Sequence, residues 1–81
     1  MSYERKTNAN QERGYTVILG KRVRVGSDIS IRLGGWSGTR SIVHDIVFMR
    51  NGTRKLQLDF PDGKRLWISA HYVQEITVYR Y

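Results

Sequence analysis

The chain has no cysteine, so neither a disulfide nor a thiolate metal site can brace a domain this small, and nothing in it calls for an oxidising compartment. Long apolar runs are missing as well. Stretches such as Val17-Ile18-Leu19 are far too short to cross a bilayer or to form the apolar part of a signal peptide, so no membrane insertion is expected and the cytoplasm is the expected location. Acidic residues are scarce: seven Asp and Glu stand against fourteen Lys and Arg, for a formal net charge of +7. That excess favours polyanionic partners.

Catalytic and metal-binding chemistry is equally poorly provided for. His44 and His71 are the only imidazoles, and no cysteine or third histidine completes a transition-metal site of the usual type. The serines at 27, 30, 37, 41 and 69 lack a nearby signature of a base with an orienting acid, and Asp59 and Asp62 straddle a turn rather than facing one another as a catalytic pair. Gly34-Gly35-Trp36-Ser37-Gly38 has no strand-loop-helix setting for a phosphate loop. The expectation is a chain that is not an enzyme and needs no cofactor or metal.

Helical spacing is the last absence. No segment repeats apolar residues at i, i+3, i+4 and i+7 over two turns, whereas β-branched and aromatic residues dominate from Tyr15 onward. Residues 1–13 hold almost no large apolar group besides Tyr3 and are expected to be a disordered tail. Residues 14–81 are expected to form one all-β domain, since 81 residues leave room for a single small core.

Tyr15 to Leu19 and Arg22 to Val25 are expected as two strands around Gly20-Lys21, or as one longer strand with a bulge at Gly20. In Asp28 to Leu33 the apolar residues Ile29, Ile31 and Leu33 alternate with polar ones, the pattern of a strand with one face buried. Gly34 to Gly38 is expected to be a loop exposing Trp36. Asn51-Gly52 predicts a type I′ hairpin turn joining Ile42–Met49 to Lys55–Phe60. Pro61-Asp62-Gly63-Lys64 predicts a second turn, with Gly63 left-handed and Arg65 to Ile68 returning antiparallel. Ser69 to Tyr72 suits one 3₁₀ turn before Val73 to Ile76. Thr77 to Tyr81 either extends that strand or pairs with Tyr15 to Leu19.

The order from Gly26 to Ile46 (glycine, Asp28, Ile29-x-Ile31, the glycine-rich turn at 34–38, Arg40, then Ile42-Val43) resembles the KOW motif of small SH3-like barrels. Leu66 to Ile76 is similar to the closing segment of those barrels. Ser41 stands where such motifs usually carry a third glycine, and the acidic loop and closing proline of signalling SH3 domains are absent, so polyproline recognition is not expected. The resemblance implies an SH3-like, KOW-type barrel of five to six antiparallel strands, with a 3₁₀ turn before the last core strand. It also implies partners among RNA, DNA, and ribosomal or transcription-complex surfaces.

Ten of the fourteen basic residues are arginine, whose guanidinium fork makes bidentate contacts with phosphate that an ammonium cannot. If Lys21 to Val25 pairs with Asp28 to Leu33, Arg22, Arg24 and Arg32 share one wet sheet face, and Arg40 extends it. Trp36 then serves as a stacking group or caps the open end of the barrel, and Trp67 is core or a second platform according to register. Arg54 and Lys55 beside the Asn51-Gly52 turn add a further basic group. Arg22, Arg24, Arg32, Trp36, Arg40, Arg54 and Lys55 are thus the expected contacts of a non-catalytic nucleic-acid-binding domain. The alternative is a protein-interaction module, such as an accessory subunit or a phage or mobile-element factor, docking an acidic partner. A monomer is expected, or a dimer through the edges Tyr15 to Leu19 or Thr77 to Tyr81.

Overall fold

A computed structural model describes residues 14–81; the expected tail at 1–13 lies outside the described residues. The chain runs β1 (Thr16–Ile18), β2 (Lys21–Val23), β3 (Asp28–Leu33), β4 (Trp36–Ser37), β5 (Ser41–Phe48), β6 (Arg54–Asp59), β7 (Arg65–Ser69), a 3₁₀ turn (Ala70–Tyr72) and β8 (Glu75–Arg80). Strands β1 and β2 form a separate two-stranded hairpin. The other six make one curled antiparallel sheet in the order β4-β3-β5-β6-β7, with β8 on the other side of β3.

Alternation sets the inner face. Ile29 and Ile31 of β3, Leu56 and Leu58 of β6, and Ile76 of β8 are buried together, joined by Ile18 and Val23 from the hairpin. Strand β5 carries too many apolar residues for strict alternation. A bulge between Val43 and Asp45 shifts the register and lets both Val43 and Ile46 point inward. His44 is the residue passed over, and it turns outward.

Turn chemistry accounts for the hairpins. Between β5 and β6, Gly52 N donates to Met49 O and Met49 N to Thr53 O, with Gly52 at φ 88°. This is a three-residue loop, a type I turn closed by a left-handed glycine. The expected type I′ turn is not formed, because Asn51 keeps a negative φ and its Oδ1 instead accepts from Thr53 N. The β6–β7 loop repeats the design: Gly63 N donates to Phe60 O, Phe60 N to Lys64 O, and Asp62 Oδ1 accepts from Lys64 N. There the sequence reading holds.

The β1–β2 turn is Leu19-Gly20, with both residues at positive φ, 50° and 80°. A leucine in the left-handed region is strained, and this one is 59% exposed, so its side chain gains little in return. Leu19→Asn is expected to raise the unfolding free energy by about 1 kcal/mol, read from the urea midpoint.

The expected pairing of β2 with β3 does not occur. Both edges of β3 are taken: β8 runs along one, while β5 and β4 share the other. The turn before β3 is a type II arrangement in which Ser27 N donates to Arg24 O and Gly26 sits at φ 96°. It hands Gly26 N to Val43 O and so commits the chain to β5. Thr77 to Arg80 extends the last strand along β3 and does not meet β1. Trp36 lies in the short strand β4 rather than in a loop, because Gly34-Gly35 closes a two-residue hairpin with Gly34 at φ 54°.

Ser41 is 3% exposed, and its Oγ is the one buried side-chain polar atom without a hydrogen bond among the described residues. A lone hydroxyl in the interior forfeits its solvation. Ser41→Ala is expected to stabilise the fold by about 1 kcal/mol in the same denaturation measurement.

Candidate nucleic-acid interface

The outer face of β3 and β8 brings Arg32 and Arg40 together. Ser30 pairs with Thr77 and Arg32 with Glu75 across the two strands, and Arg32 Nη2 donates to Glu75 Oε2 at 3.1 Å. Further along, Tyr79 Oη lies 3.1 Å from Ser30 Oγ. Arg40 enters from the segment between β4 and β5. It crosses β3 to stack on the Tyr79 ring at 4.1 Å while gripping Asp28 with two bonds, Nη2 to Oδ2 at 2.6 Å and Nε to Oδ1 at 3.3 Å. Arg24 stacks on the Tyr81 ring at 4.5 Å and donates from Nε to Tyr81 O at 2.9 Å.

The pairing of β3 with β8 shifts here, Ile29 facing Val78 but Asp28 facing Arg80, so Tyr79 is passed over by a bulge and Arg80 comes beside Asp28. Arg40 on Tyr79 and Arg24 on Tyr81 are thus two arginine–tyrosine pairs near the C-terminal end of β8, with Arg32 toward its start. A guanidinium lying on a ring is held by its face and keeps edge N–H groups for other partners. Ser27 anchors the Arg24 pair: buried, it accepts from Arg24 N at 2.9 Å and donates to Tyr81 O at 3.1 Å. Arg22 stands apart on the hairpin, over the Tyr15 ring at 5.0 Å.

Charges on this surface are unevenly balanced. The Arg40 hydrogen bond holds the Asp28 carboxyl below the usual carboxylate range, and Arg80 adds to the effect. Across the sheet, Arg65 does the same for Asp59, whose Oδ2 also sits 3.1 Å from His44 Nδ1. Arg32, Arg40, Lys64 and Arg65 each face an acid. Arg22 and Arg24 lean on tyrosines instead.

Two expected contacts are placed elsewhere. Arg54 Nη1 donates to Thr16 Oγ1 at 2.8 Å and to Val17 O, so its head group ties β6 to the hairpin. Lys55, its neighbour on β6, points to the opposite face in register with Val47 and Ser69. Trp36 is 40% exposed, packs edge-on against Phe60 at 6.2 Å, and lies over Gly38, where a Cβ would stand 2.6 Å from its ring. Its cross-strand partner Leu33 and its neighbour Phe60 both pack against the core, so Trp36 lies half-exposed at the open margin of the inner face. Trp67 is exposed on β7.

Tyr79, Tyr81 and Tyr15 were not among the expected contacts. No local pattern finds the first two, since a bulge interrupts the alternation of β8 at Tyr79. Among the described residues no group of three His, Asp or Glu is placed to hold a metal, and no helix is long and apolar enough to cross a membrane. No protein family matches this chain, and no curated protein or solved structure matches it.

Proposed function

We propose that this chain is a non-catalytic nucleic-acid-binding domain, of the KOW-like and SH3-like kind its sequence resembles, which holds phosphates on arginines backed by tyrosines. The observation that carries the reading is the pair of arginines held over tyrosines, Arg40 on Tyr79 and Arg24 on Tyr81. Stacking fixes each guanidinium at little entropic cost and aims its remaining donors outward, the arrangement a polyanionic backbone rewards. The net charge of +7 supplies the long-range attraction. With no recognition helix, specificity for duplex sequence is expected to be low.

A protein-interaction role draws support from one feature. Among the described residues strand β7 pairs only with β6, and it exposes Leu66 and Trp67, an edge on which a partner strand could add.

Fluorescence anisotropy of labelled single-stranded and duplex DNA and RNA, titrated from about 50 to 300 mM salt, separates the two readings. Phosphate binding is expected to weaken log-linearly, with a slope of about −2 to −3 for roughly three or four contacts on a single strand. Absence of binding at the lowest salt would remove the proposal.

A further inference from the structure

Beside the Arg40–Tyr79 pair the sheet carries a cleft of about 470 Å³. The pairing register explains it. Asp28, Ile42 and Asp59 stand directly across from one another on β3, β5 and β6, so a lone isoleucine separates two carboxylates on the outer face. Phe60 and Pro61 from the β6–β7 turn form one wall, and Arg40 closes one end. The interior is mostly apolar, while its rim is charged on both sides.

We infer that this cleft receives one unstacked base of a single-stranded nucleic acid whose backbone lies on the arginine–tyrosine pairs. The inference rests on the nucleic-acid reading and adds to it a site for a base. Three features select that occupant. The walls offer an aromatic ring and a proline, surfaces on which a flat heterocycle stacks. Arg40 both lies on the Tyr79 ring and lines the cleft, so a phosphate held there brings the adjoining nucleotide to the mouth. Each carboxylate keeps acceptor capacity beyond its arginine bonds, and an exocyclic amino group on a base is a donor that matches it. An aliphatic peptide side chain would leave those acceptors unused.

The lining residues are already held in place. Arg65 and His44 brace Asp59, Arg40 braces Asp28, and Trp36 packs its edge against Phe60, so little ordering remains for the ligand to drive.

The test compares a short cytosine-bearing single strand with an abasic strand of equal length, which keeps every phosphate, on the full chain and on Ile42→Gln. Ile42 is exposed and the substitution leaves the charge unchanged, so the phosphate-binding arginines are untouched. The expected result is about tenfold tighter binding of the cytosine strand by the natural protein, with most of that advantage lost in the variant. Equal affinity for the two strands in the natural protein overturns the base site and leaves the phosphate contacts standing. Binding of neither strand overturns both, and directs attention to a protein ligand. Because the first comparison uses the natural protein alone, it stands even where Ile42→Gln folds poorly.

Discussion

Arg54→Ala is expected to lower the unfolding free energy by about 2 kcal/mol, the cost of removing a charged donor from the buried Thr16 hydroxyl and from Val17 O. Its Nη1 bonds Thr16 Oγ1, on a residue with no exposed surface, and Val17 O. Both acceptors belong to a hairpin of two three-residue strands that forms no ladder with the main sheet. A lone two-stranded hairpin is marginal in water. What holds this one is the burial of Ile18 and Val23 together with the Arg54 bonds. The loss should therefore be local as well as global: amide exchange in Thr16 to Val23 should accelerate more than exchange in β5 or β6. Arg54→Lys should recover only part of the stability, because one ammonium cannot reproduce the geometry of the fork. A shift in urea midpoint equivalent to less than about 0.5 kcal/mol would show that the hairpin is held by apolar packing alone.

Arg22→Gln combined with Arg24→Gln should give the opposite pattern. Among the described residues neither guanidinium faces an acid; each lies over a tyrosine on the surface, Arg24 also donating to Tyr81 O, so the fold should be little disturbed. Single-strand affinity near 50 mM salt is expected to fall at least about tenfold, and the salt slope to become shallower by about 1.4, as two phosphate contacts disappear. Arg54→Ala measured while still folded should keep the natural slope. If the double substitution leaves slope and affinity unchanged, the arginine–tyrosine pairs are not the phosphate track. If Arg54→Ala flattens the slope, the head group bonded to Thr16 also contacts phosphate.

Local patterns told much of this in advance. The alternation of Ile29, Ile31 and Leu33 names the buried side of β3, and Pro61-Asp62-Gly63 names its turn, because strand faces and turn conformations depend on neighbouring residues. The same local logic explains the errors. Asn-Gly is compatible both with a type I′ turn and with a type I turn followed by a left-handed glycine, and only strand register chooses between them. Trp36 lies in a glycine-rich stretch that reads as a loop, yet Gly34-Gly35 is short enough to close a hairpin.

The candidate site was legible residue by residue but not as an arrangement. Arg32 and Arg40 meet on the outer side of β3, while Arg24 lies on Tyr81 past the end of β8. What all three contact is β8 or the residue after it, some fifty residues later in the chain than Arg24, rather than β2. Nothing near Arg24 in the sequence points to Tyr81, and nothing near Arg40 points to Tyr79.

The sequence by itself determined an all-β domain, the inward side of β3 and β6, the positions of the β5–β6 and β6–β7 turns and an excess of arginine, since each follows from composition or from contacts within a few residues. The tertiary structure decided which strands pair, and through pairing which arginines stack on tyrosine, which face acids and which one is drawn inward to hold the hairpin. Pairing depends on which strand edges remain open once the sheet curls, and β3 had none left for β2.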